Sequence, residues 1–180
     1  MTDATLQAGD EVIHPRYGFG VVEALQAHDH DGAPVQYYEV QLSAGGVLSV
    51  PVDQAGALGL RRLVNGVATT LAVIKGDAVP LPEHPRMRNA ELNARWQSPE
   101  PTALAIAVRD LLGHARQFGL KSGEQQWLTR ACERLGTEAA RVDGVTLASA
   151  RSAITREVAR LKTPPPAEAA AKSAPAKRQR

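Results

Sequence analysis

The side chains best suited to nucleophilic or metal chemistry are five histidines and one cysteine. His28-Asp29-His30-Asp31 places four potential ligands in a row. A metal site built there would need a second cluster later in the chain to complete its coordination, and none follows. Cys132 falls among apolar helical positions, where a thiol packs rather than attacks. Tyr17-Gly18-Phe19-Gly20 lacks the third glycine, the following helix and the later acid of a dinucleotide fingerprint. Neither a Walker A sequence nor a G-x-S-x-G elbow occurs. With no nucleophile–base pair, the sequence reads as a binding protein: no enzyme, no cofactor and no resident metal. A small-molecule or metal-binding regulator using the His28/His30 cluster stays open as an alternative.

Charge is the stronger signal. The net charge of +2 over 180 residues hides an asymmetry. Residues 1–84 hold four basic and ten acidic residues, a net of −6, whereas residues 85–180 hold seventeen and nine, a net of +8. An acidic half joined to a basic half implies two surfaces with two kinds of partner, and the basic half suits a polyanion such as nucleic acid. One cysteine excludes an intramolecular disulfide framework. The apolar runs are too short for a spanning helix, and the N-terminus has no signal-peptide pattern, so a cytoplasmic protein is expected.

The elements that must position these charges change character near residue 65. Glu11 to His14 reads as a strand that breaks at Pro15 and Gly18, and Phe19 to Leu25 as a second. A turn over His28 to Gly32 follows. Tyr37 to Leu42 alternates, with Tyr38, Val40 and Leu42 on one face. Ala44-Gly45-Gly46 turns the chain into Val47 to Val52, where Pro51 marks an edge or an irregular end. The spacing predicts a small, strongly bent antiparallel sheet or barrel over residues 1–65.

Helical patterns follow over 66–162. Val67, Leu71 and Ile74 recur at helical spacing before Gly76, and an arginine-rich stretch runs from Arg86 to Trp96. Thr102 is placed to cap Ala103 to Phe118, whose inner stripe is Leu104, Val108, Leu111 and Leu112. Ser122, with Gln125 at the capping-box position, opens the next helix, which Gly136 is expected to end. A short helix then runs from Thr137 to Asp143-Gly144, and Thr146 caps Leu147 to Lys162 with Leu147, Ala150, Ile154, Val158 and Leu161 inside. Trp96 and Trp127 fall at core positions. Residues 163–180 are rich in proline, alanine and lysine, the composition of a disordered basic tail. The fold class is α+β: a bent antiparallel sheet or barrel, then an all-helical unit, then the tail.

A resemblance now becomes legible. Gly9 to Leu25, GDEVIHPRYGFGVVEAL, resembles the opening of CarD-like transcription regulators. The likeness continues through Gln36 to Val40, Val50-Pro51-Val52, Leu58 to Arg61, Leu81-Pro82, Arg109-Asp110-Leu111 and Leu120-x-Ser122-x-Glu124, and spans roughly residues 8–162. It implies a Tudor-like domain over residues 1–65 that binds the β subunit of bacterial RNA polymerase. It also implies a helical domain over 66–162 that contacts promoter DNA at the upstream edge of the melted bubble and modulates open-complex stability. The polymerase contact then falls on a sheet edge, at His28, His30, Val47, Leu48, Ser49 and Val50. The DNA contact, to the minor groove and backbone, falls on His84, Pro85, Arg86, Arg88 and Arg95. Relatives carry a wedging tryptophan where this chain has Pro85. The resemblance favours a monomer that reaches the nucleoid through polymerase. The competing expectation is an adaptor that binds polymerase and a protein partner without touching DNA.

Overall fold

The computed structural model describes residues 5–30 and 33–162. The strands are β1 (Glu11–His14), β2 (Gly18–His30), β3 (Ala33–Leu42), β4 (Val47–Pro51) and β5 (Arg61–Arg62). They form one open antiparallel sheet in the order β4-β3-β2-β1-β5. The expected bend arises in β2. Its register on β3 shifts between Val22 and Ala24, leaving Glu23 bulged. Gly20 lets the two strands close up, since a methyl there would stand 2.6 Å from Val40 Cγ1 and 2.7 Å from Gln41 O. Strand β2 runs on through His28 to His30, so those residues pair with β3 rather than turn. Asp31, Gly32 and the expected basic tail over 163–180 lie outside the described residues.

The alternation in β3 holds. Tyr38 and Val40 are buried with Val12, Val22, Val50, Ala55 and Leu60 on one face of the sheet. Ile13, on the opposite face of β1, is buried as well and lines a small cleft with Trp96, Leu104 and Arg134. One face of the sheet thus makes its own core, and β1 leans on the helices with the other. That arrangement suits a unit too small to bury enough surface alone.

The helices are α1 (Val67–Lys75), α2 (Pro85–Trp96), α3 (Ala103–Phe118), α4 (Ser122–Asp143) and α5 (Leu147–Lys162). Their shared core includes Ile74, Leu92, Val108, Leu111, Trp127, Leu135 and Ile154. Four local expectations change. Helix α4 passes through Gly136 without a break, because the glycine admits α5: a methyl there would lie 2.7 Å from Arg151 Cγ. The N-cap of α4 is Lys121 rather than Ser122, and Glu124 Oε2 accepts the Lys121 N–H at 2.8 Å. Thr102 makes no side-chain cap, and Leu147 is exposed at the start of α5. Thr146 does cap, its Oγ1 accepting from the Ser149 N–H at 3.2 Å. No described helix is long and apolar enough to cross a membrane.

Candidate functional site: a free sheet edge and a helix start

Among the described residues, strand β4 pairs only with β3, so one of its sides is open. In an antiparallel ladder, backbone groups alternate between facing the partner and facing away. Leu42 N–H donates to Gly46 O and Val52 N–H donates to Gln36 O, both at 2.9 Å. With the register Val40↔Leu48 and Tyr38↔Val50, the alternation turns the backbone groups of Leu48 and Val50 toward β3. The N–H and C=O of Val47 and Ser49, and the carbonyl of Pro51, point outward. Pro51 has no N–H to offer, which closes the donor ladder after two residues.

The side chains divide the same way. Val50 is buried and Leu48 half-buried in the sheet core, whereas Val47 is 57% exposed and Ser49 exposed on the other face. Of the expected contact residues, Val47 and Ser49 therefore stand at the open edge. Leu48 and Val50 do not: their side chains and their backbone groups are both committed inward. Beside the edge sits a polar cluster centred on Glu39, which residue type alone does not single out. Ser49 Oγ donates to Glu39 Oε1 at 2.6 Å, and His28 Nε2 stands 3.5 Å from the same oxygen. The His28 ring meets Tyr37 edge-on, with centroids 5.3 Å apart. His30 is described through its backbone, as the last residue of β2. Among the described residues, no group of three or more His, Cys, Asp or Glu side chains is arranged to hold a metal ion.

The helical site is reduced in the same manner. Pro85 occupies the first turn of α2, where its missing N–H costs nothing. His84 and Arg86 are exposed there, and Arg86 has no ion-pair partner among the described residues. Arg88 leaves the DNA-facing set, because its side chain is 3% exposed. Its guanidinium binds Glu124 Oε1 at 2.6 and 2.7 Å and the carbonyls of Pro82 and Glu83 at 2.8 and 2.9 Å. Burial would raise the pKa of Glu124, but the Lys121 N–H and Arg88 together hold it below its ordinary value. Arg95 is likewise spent. Its two terminal nitrogens reach Asp110 Oδ2 at 2.9 Å and Glu91 Oε1 at 2.7 Å. The Asp110 carboxylate is fully buried and also takes Arg109 Nε at 2.8 Å and the Val79 N–H at 2.9 Å. An acid inside the α3 stripe was the available signal, since a buried carboxylate must recruit cations.

A third arrangement ties the two sites together. Arg134, Glu138 and Arg141 lie on one face of α4 and meet the sheet. Glu138 is buried and takes both terminal nitrogens of Arg61 at 2.8 and 3.1 Å. It also accepts the Val64 and Asn65 N–H groups and Asn65 Nδ2, each at 3.3 Å. Arg134 donates to Pro15 O at 2.9 Å and lies over the Trp96 ring. Burial, with Arg61 nearby, pushes its pKa down to about 10. Arg141 pairs with Glu11 at 2.6 Å. A helix broken at Gly136 would have hidden this i, i+4, i+7 row.

Comparison with known proteins gives the sheet unit its class. Residues 6–64 match the family described as CarD-like/TRCF RID domain. A curated relative from Bacillus subtilis (strain 168), named "Putative transcription factor YdeB", is 23% identical over 145 residues, covering 78% of this chain and 94% of the relative. The solution NMR structure of the 72-residue N-terminal domain of Myxococcus xanthus CarD is 25% identical, with a TM-score of 0.29, covering 34% of this chain and 84% of that one. The sheet unit of this chain is a CarD-like/TRCF RID domain, an RNA polymerase-interacting module of transcription regulation.

Proposed function

We propose that this chain regulates transcription by adding its β4 edge to a strand of the RNA polymerase β subunit while the start of α2 rests on promoter DNA at the upstream edge of the bubble. The observation that carries the reading is the open edge at Val47 and Ser49 inside a CarD-like/TRCF RID domain. Unpaired strand-edge groups are completed by a partner strand, with backbone hydrogen bonds supplying affinity. The side chains that flank the added strand are Val47, Ser49 and His28.

The DNA contact uses His84, Pro85 and Arg86. Arg86 meets phosphate, where only charge and reach are needed. Pro85 is an apolar residue of the kind that can press against a base step. The first turn of α2 carries no acid to repel phosphate. The Glu138 clasp holds both contacts at a fixed separation, so that polymerase binding delivers α2 to the same stretch of DNA each time. The protein acts as a monomer without a cofactor or catalytic chemistry, in the cytoplasm and on the nucleoid through polymerase. Open-complex lifetime on a linear promoter is the test: the full chain is expected to change it, and Arg86→Ala to weaken the effect and its dependence on salt. An unchanged lifetime with the full chain would contradict the DNA half.

A second reading has an observation of its own. Two of the three α2 arginines are neutralised internally, which also suits an adaptor that carries a protein partner to polymerase. That reading predicts polymerase binding with no salt-dependent DNA contribution.

A further inference from the structure

The open β4 edge and the sheet face beside it carry charge of one sign. From residue 17 to residue 60 the chain has no lysine or arginine and five acids: Glu23, Asp29, Asp31, Glu39 and Asp53. Glu23, Asp29 and Asp53 are exposed, and Glu39 keeps 13% of its side chain open. The arginines of the sheet unit stand elsewhere. Arg61 and Arg62 are on β5, at the far edge of the sheet, and are paired with Glu138 and Asp10. Arg16 lies over the Tyr17 ring in the β1–β2 turn. An acidic face repels phosphate and draws cations, so this side of the sheet is set against nucleic acid and toward a basic protein surface.

Glu39 is the acid placed to act at the edge. It lies on β3 opposite Ser49 of β4, and both stand on the face away from buried Val40 and Val50. Its Oε1 accepts the Ser49 hydroxyl at 2.6 Å and lies 3.5 Å from His28 Nε2. Its Oε2 has no hydrogen-bond partner among the described residues. A strand added to β4 bonds to the outward N–H and C=O of Ser49, which sets one of its own residues beside Ser49 on the same face. That residue and Glu39 are then two strand spacings apart, about 10 Å between Cα atoms. A lysine or arginine is long enough to meet a glutamate across that gap, and Ser49 is small enough to let it pass.

We propose that the polymerase strand seated on β4 brings a lysine or arginine beside Ser49, and that this cation crosses Ser49 to pair with Glu39. This rests on the polymerase reading above. It adds a specificity-determining residue that is not on the edge strand itself, and a chemical requirement on the partner. The outward backbone groups give affinity for any strand, whereas the Glu39 pair selects which strand joins and in which register. An uncharged or acidic residue at that place leaves the Glu39 carboxylate covered and unpaired, which costs affinity.

The experiment measures binding of the full chain to purified RNA polymerase of the same organism, without DNA, over a range of salt concentrations. Wild-type binding is expected to weaken as salt rises. Glu39→Gln keeps an acceptor for the Ser49 hydroxyl and removes only the charge. It is expected to melt like wild type, to bind about tenfold more weakly and to lose most of the salt dependence. Glu39→Lys sets cation against cation and is expected to bind more weakly still. Glu23→Gln, two strands from the edge on β2, is expected to change binding by less than about twofold. Equal affinity and salt dependence in Glu39→Gln and wild type, or binding by Glu39→Lys as strong as by Glu39→Gln, overturns the pair and leaves the edge contact standing. A loss in Glu23→Gln as large as in Glu39→Gln overturns it too, since the general field rather than one pair is then at work. Failure of the wild type to bind polymerase overturns both readings.

Discussion

The edge of β4 and the first turns of α2 both carry groups that residue type marks as contacts. They differ in what those groups already bond. At the edge, Leu48 and Val50 are committed to β3 and the core while Val47 and Ser49 are open, so alternation sorts the residues. On α2, burial sorts them: Arg88 and Arg95 serve Glu124 and Asp110, and Arg86 is left. A strand edge exposes backbone whatever its side chains are, so its availability follows from topology. An arginine's availability depends on whether a buried acid has claimed it.

The sharpest way to break this comparison is to exchange the arginines' fates. Arg88→Ala leaves Glu124 buried without its cation and is expected to destabilise the fold by about 3–5 kcal/mol in urea melts. Arg86→Ala is expected to fall within about 0.5 kcal/mol of wild type in the same melts. If the two variants melt alike, the division between structural and free arginines is wrong.

The clasp is next in size. Glu138→Ala removes one acceptor from Arg61, Asn65 and the Val64 N–H at once, and a loss of about 3 kcal/mol or more is expected. Amide exchange at 61–67 should then quicken before the rest of the sheet responds. Glu138→Gln keeps one acceptor oxygen and is expected to lose less. The third prediction concerns the β1–β2 turn. His14 is buried, and its Nδ1 accepts the Arg16 and Tyr17 N–H groups at 3.1 and 3.3 Å. Burial, then Arg134 and Arg16, lower its pKa below 6.5. The unfolded chain therefore takes up a proton that the folded chain resists. The stability from this group is present above about pH 6.5 and is lost as pH falls toward the folded value. His114 has the same sign. Thermal midpoints are expected to drop as pH falls below about 6.5, and His14→Gln to flatten that slope.

The strands were legible because alternation and turn residues act locally: Tyr38 and Val40 announce their face, and Gly45-Gly46 their turn. The helix stripes were legible for the same reason. Gly136 was misread because a glycine that stops a helix and one that admits a neighbouring helix look alike, and what separates them is Arg151 on α5. The arginines were misread because their partners lie 36 residues away at Glu124 and 15 away at Asp110. Those acids sit in apolar stripes, and that was the signal that residue type alone passed over. Phe118, exposed at the end of α3, gives the converse lesson, since nothing local says whether an aromatic at a helix end turns in or out.

The proposed contact joins the β4 edge to RNA polymerase through outward backbone groups. Ser49→Pro tests it most directly, because it deletes an outward N–H and leaves the β3–β4 ladder whole. Capture of purified RNA polymerase by the full chain should survive Ser49→Ala and fall at least tenfold with Ser49→Pro, while the melting curve of Ser49→Pro stays close to that of wild type. Undiminished capture by a folded Ser49→Pro chain would contradict the account.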